Sequence, residues 1–298
     1  MKTCLIGLGA ITKKYIKGLE NDSFLTLCAV SDLDEHATGR PFYRQYPFYV
    51  DYQQMLAEQR PAYVIISTPP ATHYEIATYC LQHGINVLVE KPAALRMEHL
   101  DALTQLAAAN KLVFQTLFHW QGGIETVAFN QQYNLAGIEQ IRVQVLDAYC
   151  DDGKTINPNR RPLMGAWVDS GVNALSMIGQ WLPFEHVEVL QTESARCSAT
   201  NLPIYAKVNL CIDGIPTEIV VDWRQGEERK DSFVKIEDRW VHVNHAAQSI
   251  EDGTVTEYAR MPRLEEHYRY LFEHLDDQSN GDFARLVHEV LFRVEAML

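Results

Sequence analysis

Apolar and polar positions follow two different periods along the chain. Up to about residue 116, short apolar runs alternate with helical patterns. The runs at 3–6, 25–30, 63–67, 87–89 and 112–116 lack a wet face and read as buried strands. Between them, helix spacing predicts a first helix carrying Ile11, Tyr15, Ile16 and Leu19. A second runs from Thr72 or His73 to about His83, with Gly84 as its C-cap, and a third covers 97–110. Strands alternating with helices predict a parallel, doubly wound sheet. From 139 the period changes to two. Ile141, Val143 and Val145 point one way and Arg142 and Gln144 the other, as in an antiparallel strand with one wet face. Alternation returns at 187–193, 205–212, 217–222 and 234–243, with a turn at Gly214 and Pro216. Helices are expected at 167–182, 264–275 and 282–298, and 150–164 is a polar, turn-rich loop. The expected fold is α/β: a doubly wound parallel sheet over 1–118, then an α+β domain over 119–298 with a large, mostly antiparallel sheet.

Composition narrows the class. The 298 residues are 47% hydrophobic and 22% charged, ordinary for a globular protein. A formal net charge of −13 without a basic stretch excludes nucleic acid as a partner. Six cysteines without a C-x-x-C pair read as reduced thiols. The start of the chain is too short in apolar residues for a secretory signal, and no run reaches the ~20 residues that span a bilayer. A cytoplasmic protein with no membrane partner is expected.

The candidate chemistry gathers at the strand ends. Gly7-Leu8-Gly9-Ala10-Ile11-Thr12 stands between a strand and a helix, the context of a dinucleotide fingerprint. Gly7 would permit the tight turn and Gly9 the approach of a pyrophosphate, with Ala10 and Ile11 opening the helix. Thr12 replaces the third glycine of that pattern, so looser helix–strand packing is expected, and a plain glycine turn remains the alternative. Asp32 ends the second strand near the spacing at which an acid takes the ribose hydroxyls of NAD; otherwise it caps the next turn. A carboxylate there repels the 2′-phosphate of NADP and no arginine follows closely, so NAD is favoured and NADP left open. Thr68, Pro69 and His73 follow the third strand. Glu90-Lys91-Pro92 follows the fourth, where proline stops the ladder and delivers Lys91 to the sheet edge. That edge is where ligands bind in open α/β sheets.

Taken together, Gly7-Leu8-Gly9, Thr68-Pro69-Pro70-Ala71-Thr72-His73, Glu90-Lys91-Pro92 and Asp169-Ser170-Gly171-Val172-Asn173 resemble the Gfo/Idh/MocA family of NAD(P)-dependent oxidoreductases over nearly the whole length. The resemblance implies a Rossmann domain, Lys91 and Asp169 facing the nicotinamide, and a second sheet that often carries subunit contacts, hence a homodimer or homotetramer. Asn173 stands where the family often has histidine, which weakens a proton relay through it. Asp169 to Ser176, Asp222-Trp223-Arg224 and Phe118-His119-Trp120 are similar to the aldose 1-dehydrogenases acting on L-arabinose and D-galactose, whereas 150–165 matches them poorly. The implied reaction is oxidation of an aldose at C1 to a lactone. Asp169 would be the base, unless it is only a helix N-terminal carboxylate, and Lys91 would stabilise alkoxide charge. Asn173, His119 and Trp120 are candidate sugar contacts, the last two equally readable as packing residues. Trp223 reads as core, Glu90 as an anchor for the Lys91 loop, Glu265-Glu266-His267 as a solvated face, and His242 with His245 as no metal pair. Reduction of a non-sugar carbonyl or imine, or a non-catalytic NAD-binding sensor, are the alternatives.

Overall fold

The structure, a computed structural model, describes every residue except 21–23, 40–41, 225 and 276; of 38–39 and 277–279 the backbone alone is described. The chain forms two compact units, residues 1–119 with 264–285 and residues 120–263 with 286–298.

The first unit holds β1 (Lys2–Ile6), α1 (Thr12–Leu19), β2 (Thr26–Ser31), β3 (Phe48–Tyr49), α2 (Tyr52–Gln59), β4 (Tyr63–Ile66), α3 (His73–Gln82), β5 (Asn86–Glu90), α4 (Met97–Asn110) and β6 (Phe114–Leu117). Its strands are all parallel, in the order β3-β2-β1-β4-β5-β6. Alternate side chains along each strand feed two cores. Cys4, Ile6, Val64, Ile66, Val87 and Val89 pack with α2, α3 and α4 on one face. Leu5, Val30, Ile65 and Leu88 pack on the other with Tyr15 and Ile16 of α1 and with Tyr268, Leu271 and Phe272. Burying each such aliphatic side chain contributes about 1.5–3 kcal/mol. The doubly wound sheet is therefore as the run pattern predicts. The pattern does not show β3 or α2, the former because two residues make no period.

The second unit contains α5 (Ile124–Gln132), β7 (Ile138–Leu146), a π turn (Trp167–Gly171), α6 (Val172–Ile178), β8 (Val187–Arg196), β9 (Pro203–Ile212), β10 (Ile215–Asp222), β11 (Arg229–Ile236), β12 (Arg239–Asn244), β13 (Ser249–Asp252) and β14 (Thr254–Glu257). These strands form one sheet, β14-β13-β12-β11-β7-β10-β9-β8. It is mixed, since β7 runs antiparallel to β11 but parallel to β10. The expected single strand 234–243 is a hairpin, turning at Glu237 and Asp238 with φ of 50° and 63°. The change of inward parity, from Val234 and Ile236 to Val241 and Val243, marks the break. The chain closes with α7 (Arg263–Glu273) and α8 (Asp277–Glu295). Tyr268 of α7 is a core residue of the first unit, while the last turns of α8 belong to the second, where Leu291 accepts a hydrogen bond from Trp167 Nε1 at 2.9 Å.

Candidate active site

In the first unit the strand order reverses between β1 and β4, the switch point outside which nucleotides bind in such sheets. Gly7 turns the chain there with φ of 92°. A Cβ at Gly7 would lie 2.7–2.8 Å from the Ser67 and Thr68 backbone, so only glycine lets the two loops meet. A Cβ at Gly9 meets nothing within 4 Å, and Gly9 and Ala10 are exposed, leaving open space before α1. Half-buried Ile11 is the N-cap of α1 and offers no side-chain cap. Thr12 departs from the expectation of looser packing: fully buried, its hydroxyl donates to the Gly7 carbonyl at 3.2 Å and ties helix to turn. Asp32 Oδ2 accepts from Leu8 N–H at 2.6 Å and Oδ1 from Asp34 N–H at 2.8 Å, which holds the carboxylate at the end of β2 beside the 87% exposed Leu33. Ser67 Oγ is buried with no hydrogen-bond partner among the described residues. Open space at Gly9, a held acid and an orphaned hydroxyl fit a dinucleotide.

The remaining predicted residues of this edge are tied to one another. His73 is buried, with Nδ1 2.9 Å from Pro92 O and Nε2 2.8 Å from Thr68 O, so one ring links the loops after β4 and β5. Burial pulls its pKa down, and a neutral ring donates to one of those carbonyls only. Thr68 also accepts from the Thr72 hydroxyl at 2.8 Å, and Pro69 stands exposed before the short helical turn Pro70–Thr72. Glu90 is buried: its Oε1 accepts from Tyr15 at 2.5 Å and Tyr268 at 2.6 Å, and its Oε2 from Lys91 N–H at 3.1 Å. Burial pushes the Glu90 carboxyl up, against the Lys91 charge and the two hydroxyls. Glu90 thus grips the backbone of half-buried Lys91, whose peptide to Pro92 is cis. His119 lies in this unit but is buried, Nδ1 to Nδ1 at 3.3 Å from His267 and with its ring 5.6 Å from Tyr268. His267, read as part of a solvated face, is fully buried, whereas Glu265 does pair with Lys14 at 2.9 Å.

The second unit carries Asp169 and Asn173. Asp169 is half-buried in the π turn and Asn173 is the second residue of α6, its amide donating to the Asp169 carbonyl at 3.3 Å. Asn173 Oδ1 is buried with no hydrogen-bond partner among the described residues. An unmet acceptor in that position costs about 1–3 kcal/mol unless a ligand hydroxyl satisfies it. Two groups not foreseen from the sequence stand close by. Asp147, at the end of β7, pairs with Lys230 of β11 at 2.5 Å, and both side chains are buried. Ser170 Oγ donates to Asp147 Oδ2 at 3.2 Å and accepts from Trp223 Nε1 at 3.1 Å. Trp223 is fully buried, as its core reading requires. Separated by 83 residues, Asp147 and Lys230 leave no spacing signal. Trp120 is buried too, its ring 4.8 Å from that of His245.

His245 contacts Glu125 Oε1 at 2.7 Å and Ser232 Oγ at 2.8 Å, the layout of a nucleophile triad. All three are fully buried and the Ser232 hydroxyl also reaches Met177 Sδ at 3.1 Å, so the trio is a core network. Among the described residues no three His, Cys, Asp or Glu are placed to share a metal ion, and no helix is long and apolar enough to cross a membrane.

Comparison with known proteins agrees with the fold. Residues 1–118 match the model of the Gfo/Idh/MocA oxidoreductase family, described as an NAD-binding Rossmann fold. An uncharacterised oxidoreductase of Synechocystis is 30% identical over 136 residues, 44% of this chain and 34% of that protein. The chain thus spans about a third of the length of the curated relatives it matches. Among solved structures, UDP-N-acetylglucosamine 3-dehydrogenase from Acidithiobacillus ferrooxidans superposes with a TM-score of 0.79 at 17% identity, covering 99% of this chain and 96% of that one. A 3-ketoreductase from Actinomadura kijaniata, in complex with TDP-benzene and NADP, does so with a TM-score of 0.78 at 14% identity, covering 98% and 95%. At these identities the likeness shows the shared fold.

Proposed function

We propose, from residues 1–118 as a Gfo/Idh/MocA NAD-binding Rossmann domain, that the chain is an NAD-linked oxidoreductase of sugar-like substrates. The preferred reaction is oxidation of a ring hydroxyl, such as the C1 hydroxyl of an aldose like galactose or arabinose, to the lactone. Gly7, Gly9, Ala10 and Ile11 would hold the pyrophosphate, Asp32 the adenosine ribose, and the loops of Thr68, Pro69, His73 and Glu90 the nicotinamide end. When bound, nicotinamide supplies the hydride acceptor. Asp169 takes the hydroxyl proton, and the Lys91 ammonium stabilises negative charge developing on that oxygen. Asn173 cannot titrate, and it orients the substrate by hydrogen bonding. The observation that carries this reading is the buried Asn173 Oδ1 beside Asp169, without a hydrogen-bond partner among the described residues, which a polyhydroxylated ligand would satisfy.

The same groups serve the reverse reaction, reduction of a ketone, and the ketoreductase among the similar structures keeps that direction open. Asp32 favours NAD because a carboxylate repels a 2′-phosphate. Arg40 lies outside the described residues. Lys91→Met and Asp169→Ala should each lower turnover by about 10²–10⁴-fold while the NAD dissociation constant, read by fluorescence titration, stays within about twofold. Turnover that survives both substitutions would remove these roles.

A further inference from the structure

The Asp147–Lys230 pair has no evident reason to be buried for stability alone. Apolar residues of similar volume serve a core as well as an ion pair or better. The pair is also well connected. Lys230 Nζ donates to Asp147 Oδ1 and, at 2.9 Å, to the Leu146 carbonyl, and Asp147 N–H donates to Asp222 O at 2.9 Å. The second carboxylate oxygen takes the Ser170 hydroxyl, whose own oxygen takes the Trp223 indole N–H. Ser170 is therefore pinned from two sides.

Ser170 directly follows Asp169 in the five-residue π turn. The turn is further fixed by Asp169 N–H on Gly165 O at 3.1 Å and by Gly171, where a Cβ would strike the Trp167 ring at 2.8 Å. The charge of Asp169 is felt at Asp147, whose carboxyl is pushed up first by burial and pulled back by Lys230. Tyr149 is pushed up by burial and by the charges of both aspartates. The three acidic groups share one neighbourhood, in which Lys230 pairs with Asp147 and Arg160 stacks 4.3 Å over the Tyr149 ring.

We propose that Asp147, neutralised by Lys230, is the positioning residue for Asp169, fixing through Ser170 the direction in which the base faces its substrate. Lys230 has a defined part in this: it keeps Asp147 an acceptor for Ser170 while a second carboxylate stands close. The proposal rests on the reading of Asp169 as the base.

The test compares Asp147→Asn, Ser170→Ala, Asp169→Asn and the double variant Asp147→Leu/Lys230→Met, assayed with NAD and L-arabinose or D-galactose, whichever turns over faster. Asp147→Asn and Ser170→Ala should lose about 10–100-fold in kcat with KM and NAD affinity within about twofold. The double variant should melt at or above the wild-type temperature yet stay slow, because a packed apolar pair restores the core and not the aim. Wild-type kcat in folded Asp147→Asn, with Asp169→Asn inactive, overturns this inference alone, as does a double variant that regains rate together with stability. Full turnover by Asp169→Asn overturns the underlying reading instead.

Discussion

Glu90 illustrates how a residue beside a candidate catalytic lysine can serve by holding rather than reacting. Two tyrosine hydroxyls and the Lys91 N–H converge on its buried carboxylate. Removing it takes the shared acceptor from both hydroxyls and leaves them the hydrogen bond they make to each other, and an unsatisfied buried group costs about 1–3 kcal/mol. Glu90→Ala should therefore destabilise the protein by about 2–4 kcal/mol in urea unfolding; a loss below about 1 kcal/mol would mean that the tyrosines find other partners. Glu90 and Lys91 were legible because strand, charges and proline are adjacent in the chain. Tyr15 and Tyr268 were not, since 178 residues separate Glu90 from Tyr268. Asp147 and Lys230 were hidden for the same reason. Asn173 was legible as a neighbour of Asp169, but that its acceptor is unmet among the described residues is a fact of packing.

Three neighbouring strands carry a charge ladder whose sign can be tested. His242 of β12 lies between Asp231 of β11 at 2.8 Å and Glu251 of β13 at 3.3 Å, its ring stacked 4.6 Å from Phe233. The hydrogen bond to Asp231 leads in holding its pKa above the usual histidine value, against partial burial. A group raised on folding contributes stability that is complete below its unfolded pKa of about 6.5 and is lost as pH rises through the folded value. His242→Gln should thus cost about 0.5–1 kcal/mol near pH ~6 and close to nothing near pH ~9. A deficit that is equal at both would show that packing on Phe233, not charge, is what the ring supplies. At this scale the hydrophobic pattern worked where an element is long and failed where it is short. The hairpin inside 234–243 announces itself only by the shift of inward parity. At α2, the Asp51 side chain caps Gln53 N–H at 2.8 Å, a local start signal with weak periodicity behind it.

For the whole molecule, alternation of strands and helices led to the parallel sheet and its ligand edge, because both follow from the order of elements. Periodicity shows which face of a helix is buried but not against what, so the packing of α7 on the first sheet was beyond its reach. The same limit applies to the mixed sheet, where β7 looks alike whether its neighbour runs parallel or antiparallel. Substrate identity is further still from the pattern, since it depends on a few side chains at loop ends. The most direct measurement is the appearance of reduced nicotinamide, followed by absorbance, when purified protein meets NAD or NADP with a panel of aldoses, polyols and inositols. NADH formation on a sugar, with NAD preferred over NADP, is the predicted result. Intact NAD binding without turnover on any member, in either direction, would contradict the account and leave a nucleotide-binding protein that is not a sugar oxidoreductase.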